Sequence, residues 1–392
     1  MYRPVTAIRV SVWGRAVGAI VPARERGVYA FEYDSSFLSS GIELSPLAMP
    51  LGAGTFAFPG LPRRAFLGLP PVFADALPDS FGNALVDAWM AREGVPREAI
   101  TPLDRLAYMG RRGIGALCFE PERGPRDTEP TVLEMSRLVE AARRAVRGAF
   151  DPDSDGLLAL LRVGTSAGGA QAKAVIGWNR ATGEFRCGQF DLPDGFEHWL
   201  VKFCPEDDPE AGRREYEIYR RARNAGIDIS ESALVRIDGR DHFATRRFDR
   251  DGHRRHHVQT LSAIAQVPVG SGAGDYAQLF MAADALGLGY AAKEEIFRRM
   301  AFNVAIRNTD DHAKNFSFLL REGGRWELAP AYDLTDTHTS DGPWGAWTDT
   351  HALAVGGRRA GISDGDLLAL ADRFAVGTAP AVLSRVKDAA RA

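Results

Sequence analysis

Arg307-Asn308-Thr309-Asp310-Asp311-His312-Ala313-Lys314-Asn315-Phe316-Ser317 is followed, across a short alternating stretch, by Ala329-Pro330-Ala331-Tyr332-Asp333-Leu334. Asp310 and Asn315 stand in the pattern D-x-x-x-x-N, and Asp333 supplies a further carboxylate. That spacing suits phosphoryl transfer from ATP. The first Asp orients an attacking hydroxyl and accepts its proton, the Asn holds a metal ion, and the later Asp holds metal between the β- and γ-phosphates. Such transfer depends on positioning and charge stabilisation more than on covalent chemistry, so a few oxygen ligands on a rigid loop suffice. The spacing predicts an ATP-dependent phosphotransferase, with Asp310 catalytic and Mg²⁺ on Asn315 and Asp333.

The pattern also arises in ordinary turns, where Asp, Asn and Thr bond their own backbone. Its surroundings favour chemistry. An apolar helical run, Ile296 to Ile306, leads into it, and Phe316-Ser317-Phe318-Leu319-Leu320 leaves it as a strand. Trp326-Glu327-Leu328-Ala329 reads as the partner strand, so one hairpin would bring the two acidic ends together. Within the loop, His312 is expected to orient the backbone around Asp310. Lys314 is expected to neutralise the transferring phosphate.

Upstream, Thr165-Ser166-Ala167-Gly168-Gly169-Ala170-Gln171-Ala172-Lys173 is small and flexible, so its backbone N–H groups could approach phosphates closely. It has neither the G-K-[ST] ending of a Walker loop nor the G-x-G-x-x-G pattern, and a structural Gly-rich turn ahead of a strand fits it equally well. Lys202 is a lone cation in the apolar strand Trp199-Leu200-Val201-Lys202-Phe203. Facing inward it needs an anionic partner, because an unpaired buried charge is costly; facing outward it would be an edge-strand lysine. Glu215 or Glu217 on the next helix could reach it.

Composition sets bounds on these readings. The 392 residues can bury a sizeable core in two or three subdomains, and 45% hydrophobic with 25% charged residues is ordinary for a globular chain. A formal net charge of −3 gives no global drive toward nucleic acid. The arginines at 213, 214, 220, 221 and 223, and at 246, 247, 250, 254 and 255, read as solvated helix faces and loops, with an acidic partner as the minor alternative. Cys118, Cys187 and Cys204 have no paired spacing, which favours a reducing compartment over disulfides or zinc. The start lacks an apolar signal region and no apolar run is long enough to span a membrane. The chain reads as cytoplasmic.

Alternation over residues 5–33, with a Gly14-Arg15 turn, predicts a small antiparallel sheet. Helices are expected over Phe81 to Ala91, capped by Asp79 or Ser80, and from Thr101-Pro102 toward Met109. Residues 121–130 read as a linker, and Asp151-Pro152-Asp153-Ser154-Asp155-Gly156 as a turn and helix cap. Strands 174–178 and 199–203, a helix over 208–225, and a hairpin of Leu234–Ile237 with His242–Phe248 about a Gly239-Arg240-Asp241 turn complete a sheet-rich lobe. A mainly helical lobe follows. The fold class expected is α+β.

Asn308 to Ser317 resembles the catalytic loop of the HipA family of serine/threonine kinases, the toxins of bacterial toxin–antitoxin pairs. Ala329 to Leu334 is similar to that family's metal-binding segment and Gly164 to Lys173 to its phosphate loop. Arg247-Phe248-Asp249-Arg250 and Ala74-Asp75-Ala76-Leu77-Pro78-Asp79 are similar to further family segments, so the resemblance covers nearly the whole chain. It implies a two-lobed, protein-kinase-like fold: an N-terminal β-rich subdomain (1–120), a Gly-rich loop and nucleotide-binding sheet lobe (121–250), and a helical lobe carrying the catalytic hairpin (251–392). It implies a protein serine/threonine kinase using Mg²⁺ and ATP. Ser166, Ala167, Gly168, Gly169, Ala170, Gln171 and Lys173 would lie at the phosphates. Lys202 would be the ATP-contacting lysine, with Glu215 chosen over Glu217 as its partner by motif alignment. Arg247 to Arg250 would shape the adenine-side hinge and stabilise the sheet. Ser166, or adjacent Thr165, would be autophosphorylated, ejecting the loop.

The resemblance also implies a toxin restrained by a small, HipB-like DNA-binding antitoxin, touching DNA only through it. The substrate would be a protein of the translation machinery, in some relatives an aminoacyl-tRNA synthetase. A small-molecule kinase would use the same loop chemistry. A nucleotide-binding regulator without catalysis is disfavoured because Asp310, Asn315 and Asp333 are all present. One departure is Asp311, where many relatives carry a small residue; it is expected to add negative charge near the metal ligands.

Overall fold

The computed structural model describes residues 2–125, 132–146, 159–161, 163, 171–335, 337 and 350–392. It divides into two compact units, one of Met1–Leu44, Leu51–Arg213 and Ser232–His257, the other of Ser45–Pro50, Arg214–Glu231 and Val258–Ala392.

The first unit holds two antiparallel five-stranded sheets. The N-terminal sheet runs β4-β3-β2-β1-β5, from β1 (Ile8–Val12), β2 (Arg15–Pro22), β3 (Tyr29–Tyr33), β4 (Thr55–Ala57) and β5 (Leu117–Glu120). Its alternation buries Ile8, Val10 and Val12 on one face, as period-two patterning requires. Pairing of Val12 with Arg15 puts the hairpin turn at Trp13-Gly14, one residue before the expected position. Both residues have positive φ (48° and 73°), the geometry that matches the twist of paired strands. Gly18 is required where strands close up, because a Cβ there would sit 2.1 Å from the Glu32 carbonyl oxygen.

Helices α1 (Ser35–Leu38), α2 (Arg63–Phe66), α3 (Pro71–Asp75), α4 (Ser80–Arg92) and α5 (Pro102–Met109) accompany this sheet. Asp79 caps α4 by accepting from the Gly82 N–H at 2.7 Å. Thr101 and Asp104 form a capping box at α5, with Pro102 pre-set for the first turn. Phe73 packs on Phe31 and Phe119, with ring centroids 4.8 and 6.4 Å apart.

The second sheet runs β7-β6-β8-β10-β9, from β6 (Lys173–Asn179), β7 (Glu184–Cys187), β8 (Glu197–Lys202), β9 (Ser232–Ile237) and β10 (Arg240–Arg246). Ile237 pairs with Arg240, so the β9–β10 turn is Asp238-Gly239, not the expected Gly239-Arg240-Asp241. Asp-Gly with both φ positive (49° and 77°) is the strongest short hairpin signal. Helix α6 spans Met135–Val146, and helix α7 (Ala211–Asn224) lies within the helix expected over 208–225. The short hairpin β11 (Arg250–Asp251) and β12 (Arg254–Arg255) ends near a charge cluster.

The arginines of that cluster are not solvated, contrary to the composition reading. Asp249 lies buried and accepts from Arg247 Nε and Nη2 (2.9 and 2.7 Å), Arg250 Nη1 (2.6 Å) and the Gly115 N–H (2.7 Å). The guanidinium groups of Arg250 and Arg255 bond the carbonyl of Gly115, and those of Arg247 and Arg250 that of Gly113. One carboxylate thus fixes two arginines that clamp the Gly113–Gly115 loop leading into β5. The stabilising part of the Arg247–Arg250 expectation is what the contacts describe.

In the second unit, β13 (His257–Thr260), β14 (Ser317–Leu320) and β15 (Trp326–Leu328) form a small sheet. Helices α8 (Leu261–Ile264), α9 (Tyr276–Ala285), α10 (Gly289–Ala305), α11 (Asp364–Arg373) and α12 (Ala379–Arg391) surround a core that includes Phe280, Phe297, Met300, Phe302, Phe318, Leu367 and Val386. Among the described residues no helix is long and apolar enough to cross a membrane.

The charge cluster yields a stability prediction. Burial pushes the Asp249 carboxyl toward the neutral form, but Arg247 and Arg250 outweigh that and hold its pKa well below the usual range. A depressed folded-state pKa gives stability that is present above the unfolded value of about 4 and is lost as pH falls. Asp249→Asn should therefore cost about 3–5 kcal/mol at pH 7, as breaking a buried ion pair does. The gap from wild type should shrink as the pH is taken below about 4. Urea unfolding at neutral and acid pH measures both; a variant of unchanged stability at pH 7 would refute the clamp.

Candidate active site

Helix α10 delivers the chain to the loop. It ends at Ile306, and Arg307 reverses the backbone with a φ of 55°. From there Asn308, Asp311, Ala313 and Asn315 are buried, while the Asp310 side chain remains 62% exposed. Adjacent carboxylates thus point to opposite environments, one to solvent and one to the core.

Asp311 explains how. Its side chain is fully buried and accepts from Tyr276 Oη at 2.7 Å, His351 Nδ1 at 2.9 Å and the Ala352 N–H at 2.8 Å, with the Leu353 N–H at 3.4 Å. Tyr276 Oη also accepts from Asn303 Nδ2 at 2.9 Å, and Asn303 Oδ1 accepts from Asn308 Nδ2 at 3.0 Å. Burial foremost, and then the Asp311 charge, push the Tyr276 hydroxyl pKa well above its usual value, so it stays a donor. One relay therefore ties α9, α10, the loop and residues 351–353. Asp311 was expected to add charge near the metal ligands; its oxygens are instead engaged inward.

The loop itself is a single helical turn, Ala313–Asn315. The His312 N–H donates to the Asp310 carbonyl (2.8 Å) and the Asn315 N–H to the His312 carbonyl (2.9 Å). His312 Nε2 stands 3.9 Å from Asp310 Oδ1, close enough to restrict the carboxylate and consistent with a packing role. Asn315 Nδ2 donates to the Asp310 carbonyl at 2.9 Å. With its nitrogen committed, Oδ1 is the amide atom left to ligate a metal. The half-buried Lys314 lies in the same turn.

The hairpin brings in Asp333. Phe318 pairs with Leu328 and Leu320 with Trp326, and the Ala329 N–H donates to Ser317 O at 2.9 Å. Tyr332 then touches the loop twice, its hydroxyl 2.5 Å from Ser317 Oγ and 2.6 Å from Lys314 O. Thr337 reaches back to the Thr309 N–H (3.0 Å) and Oγ1 (2.7 Å). Asp333, next after Tyr332, has a φ of 56°, an uncommon left-handed conformation of the kind found at functional sites. Buried Arg299 holds the strand from behind, donating to Ala329 O at 2.9 Å and Asp228 O at 3.1 Å and pairing with Glu295 at 2.8 Å. The donor set of Asn315 Oδ1 and an Asp333 carboxylate on one hairpin suits Mg²⁺, which takes few protein oxygens and completes its shell with phosphate and water.

In the first unit, Lys202 is buried at the end of β8, its ammonium 5.8 Å from the Phe243 ring centroid. It faces inward, not outward. Glu215, buried on α7, belongs to the second unit. Gln171 Nε2 donates to Phe203 O at 3.1 Å. Lys173, expected at the phosphates, is instead committed to a buried ion pair with Asp79 Oδ2 at 2.6 Å. Thr165, Ser166, Ala167, Gly168, Gly169 and Ala170 lie outside the described residues, as do the expected turn 151–156 and residues 126–130 of the linker.

Sequence reasoning missed Tyr276, Asn303, His351, Arg299 and Tyr332. Asn303 and Arg299 carried a signal, since both interrupt the apolar face of a buried helix. His351 carried none.

Residues 165–392 match the family model for the HipA-like C-terminal domain, and residues 8–120 that for the HipA N-terminal domain. Among curated proteins, a "Putative kinase" of Haemophilus influenzae is 27% identical over 160 residues, 37% of this chain and 47% of the relative. "Putative kinase Y4dM" of Sinorhizobium fredii is 28% identical over 153 residues, 36% of this chain and 37% of the relative. The chain thus spans less than half the length of these relatives. A solved structure of the Shewanella oneidensis MR-1 toxin–antitoxin system, HipA with HipB and operator DNA, has 19% identity and a TM-score of 0.69, covering 97% of this chain and 88% of that one. That likeness shows the α+β, two-lobed, protein-kinase-like fold that the motifs implied. With both family models matched along most of its length, the chain belongs to the HipA family.

Proposed function

We propose that the chain is a serine/threonine protein kinase that uses Mg²⁺ and ATP. The observation that carries the reading is the Asp310–Asn315 turn. One side chain holds the backbone of the other, so that an exposed carboxylate and an amide oxygen are presented from a single rigid element. Asp310 accepts the proton of an attacking hydroxyl, whose oxygen bonds to the γ-phosphorus as ADP leaves. Lys314 balances charge that develops on the transferred group. Lys202 binds nucleotide phosphates. Mg²⁺, when held by Asn315 and Asp333, supplies charge neutralisation at the phosphates.

The Shewanella protein was solved with an antitoxin and operator DNA. Family membership supports the reading of this chain as the toxin of a toxin–antitoxin pair, restrained by a small HipB-like DNA-binding partner and acting on a protein of the translation machinery. Ser166, or Thr165, is its autophosphorylation site.

With labelled ATP and Mg²⁺, Asp310→Ala should lower transfer by about 10²–10⁴-fold, the usual worth of a positioned base, and leave nucleotide binding nearly intact. Asp333→Ala should abolish transfer as well. In the same incubation, mass spectrometry should find phosphate on Ser166 or Thr165 in the wild type and not in Asp310→Ala. Retained transfer in either variant would refute the assignment.

Lys202→Met should raise the Kd for ATP by about 10–100-fold, the worth of one charged hydrogen bond, without unfolding the protein. An unchanged Kd by calorimetry would take Lys202 out of the site.

A further inference from the structure

The segment ending at Asp79 resembles the family but has no part in the chemistry above, and the structure places it against a residue of the nucleotide-binding sheet. Lys173 opens β6, and its register partner across the ladder is Lys202 of β8. Residues directly opposite in an antiparallel pair lie on the same face with their Cβ atoms close, and like charges there repel. Both lysines are buried. The row continues on β10 with Phe243, opposite Lys202. Two buried lysines paired across a ladder in a low-dielectric interior need counter-charge.

Asp79 supplies it to Lys173. The Lys173 and Asp79 side chains are 2% and 5% exposed and their charges are 2.6 Å apart. Asp79 has little freedom to leave, because its other oxygen accepts the Gly82 N–H at the start of α4. Helix cap and counter-ion are the same carboxylate, so the position of α4 and the charge on the sheet are set together.

We propose that Asp79 is a positioning residue for nucleotide binding. By neutralising Lys173 it removes the repulsion that would displace the facing Lys202 ammonium, and it anchors the strand that follows the Gly-rich segment. The proposal rests on the reading of Lys202 as the phosphate-binding lysine. It makes the N-terminal subdomain part of the nucleotide site's electrostatics, through a residue that touches no nucleotide.

Asp79→Asn separates the two duties, since Asn caps helices about as well as Asp but carries no charge. The variant should raise the Kd for ATP about tenfold, measured by calorimetry on the full-length protein. Adding Lys173→Met removes the cation that Asp79 meets, and the double variant should recover wild-type affinity to within about twofold. A merely structural role would give no such rescue. If Asp79→Asn alone does not fold, the double variant against wild type and Lys173→Met carries the comparison through thermal unfolding. Lys173→Met should then be the less stable, because it strands Asp79. Wild-type affinity in folded Asp79→Asn, or a double variant as weak as the single, overturns the proposal while leaving the kinase reading intact. A wild-type protein that binds no ATP overturns both.

Discussion

A carboxylate with no access to water must find its hydrogen bonds in the protein or lose its charge. Asp311 finds them on Tyr276, His351 and the backbone of residues 352 and 353, and this need ties the loop before β14 to α9 and to residues 351–353. With Asp311 held inward, its neighbour Asp310 is left exposed. The same anchor determines where α10 can release the chain, since Asn303 and Asn308 continue the relay. A fully satisfied buried polar network is rigid and specifies one arrangement. Rigidity is what phosphoryl transfer asks of its base and its metal ligands.

Charge burial is handled in the same manner elsewhere. Arg299 fixes the strand behind Asp333 through two carbonyls and Glu295. Asp249 gathers Arg247 and Arg250 around the loop that leads into β5. Asp79 meets Lys173. In each case an ion that would be expensive alone joins elements far apart in sequence, and breaking one partner leaves the other uncompensated. The family-like segments at Asp79, Lys173 and Arg247–Arg250 are thus structural joints as much as functional ones.

Much of this was legible in the sequence where the signal is local. The caps at Asp79 and Thr101, the strands flanking the loop and the catalytic hairpin follow from short-range patterns that the structure repeats. Turn positions slipped by a residue at Trp13-Gly14 and Asp238-Gly239, because a Gly can occupy either central place and only the pairing register decides. What sequence could not supply was the identity of long-range partners. Lys173 read as the end of a phosphate loop and Lys202 as a lone cation in an apolar strand, and only the fold shows that Lys173 meets Asp79. Asp311 read as extra charge beside the metal ligands because nothing in the loop announces His351 or Tyr276. The arginines at 213, 214, 220 and 223 are exposed as their run suggested, whereas Arg247 and Arg250 are buried, because charge density alone carries no sign of burial.

The central claim is that the Asp311 relay holds Asp310 and Asn315 in working geometry. Replacing Asp311 by Asn keeps the size of the side chain but removes the charge that His351 and Tyr276 meet. Single-turnover transfer from ATP, measured beside calorimetric ATP binding, should show a rate lowered by about 10²-fold, the cost of misplacing a catalytic group, with the ATP Kd changed little. A wild-type rate in a folded Asp311→Asn protein would contradict the account.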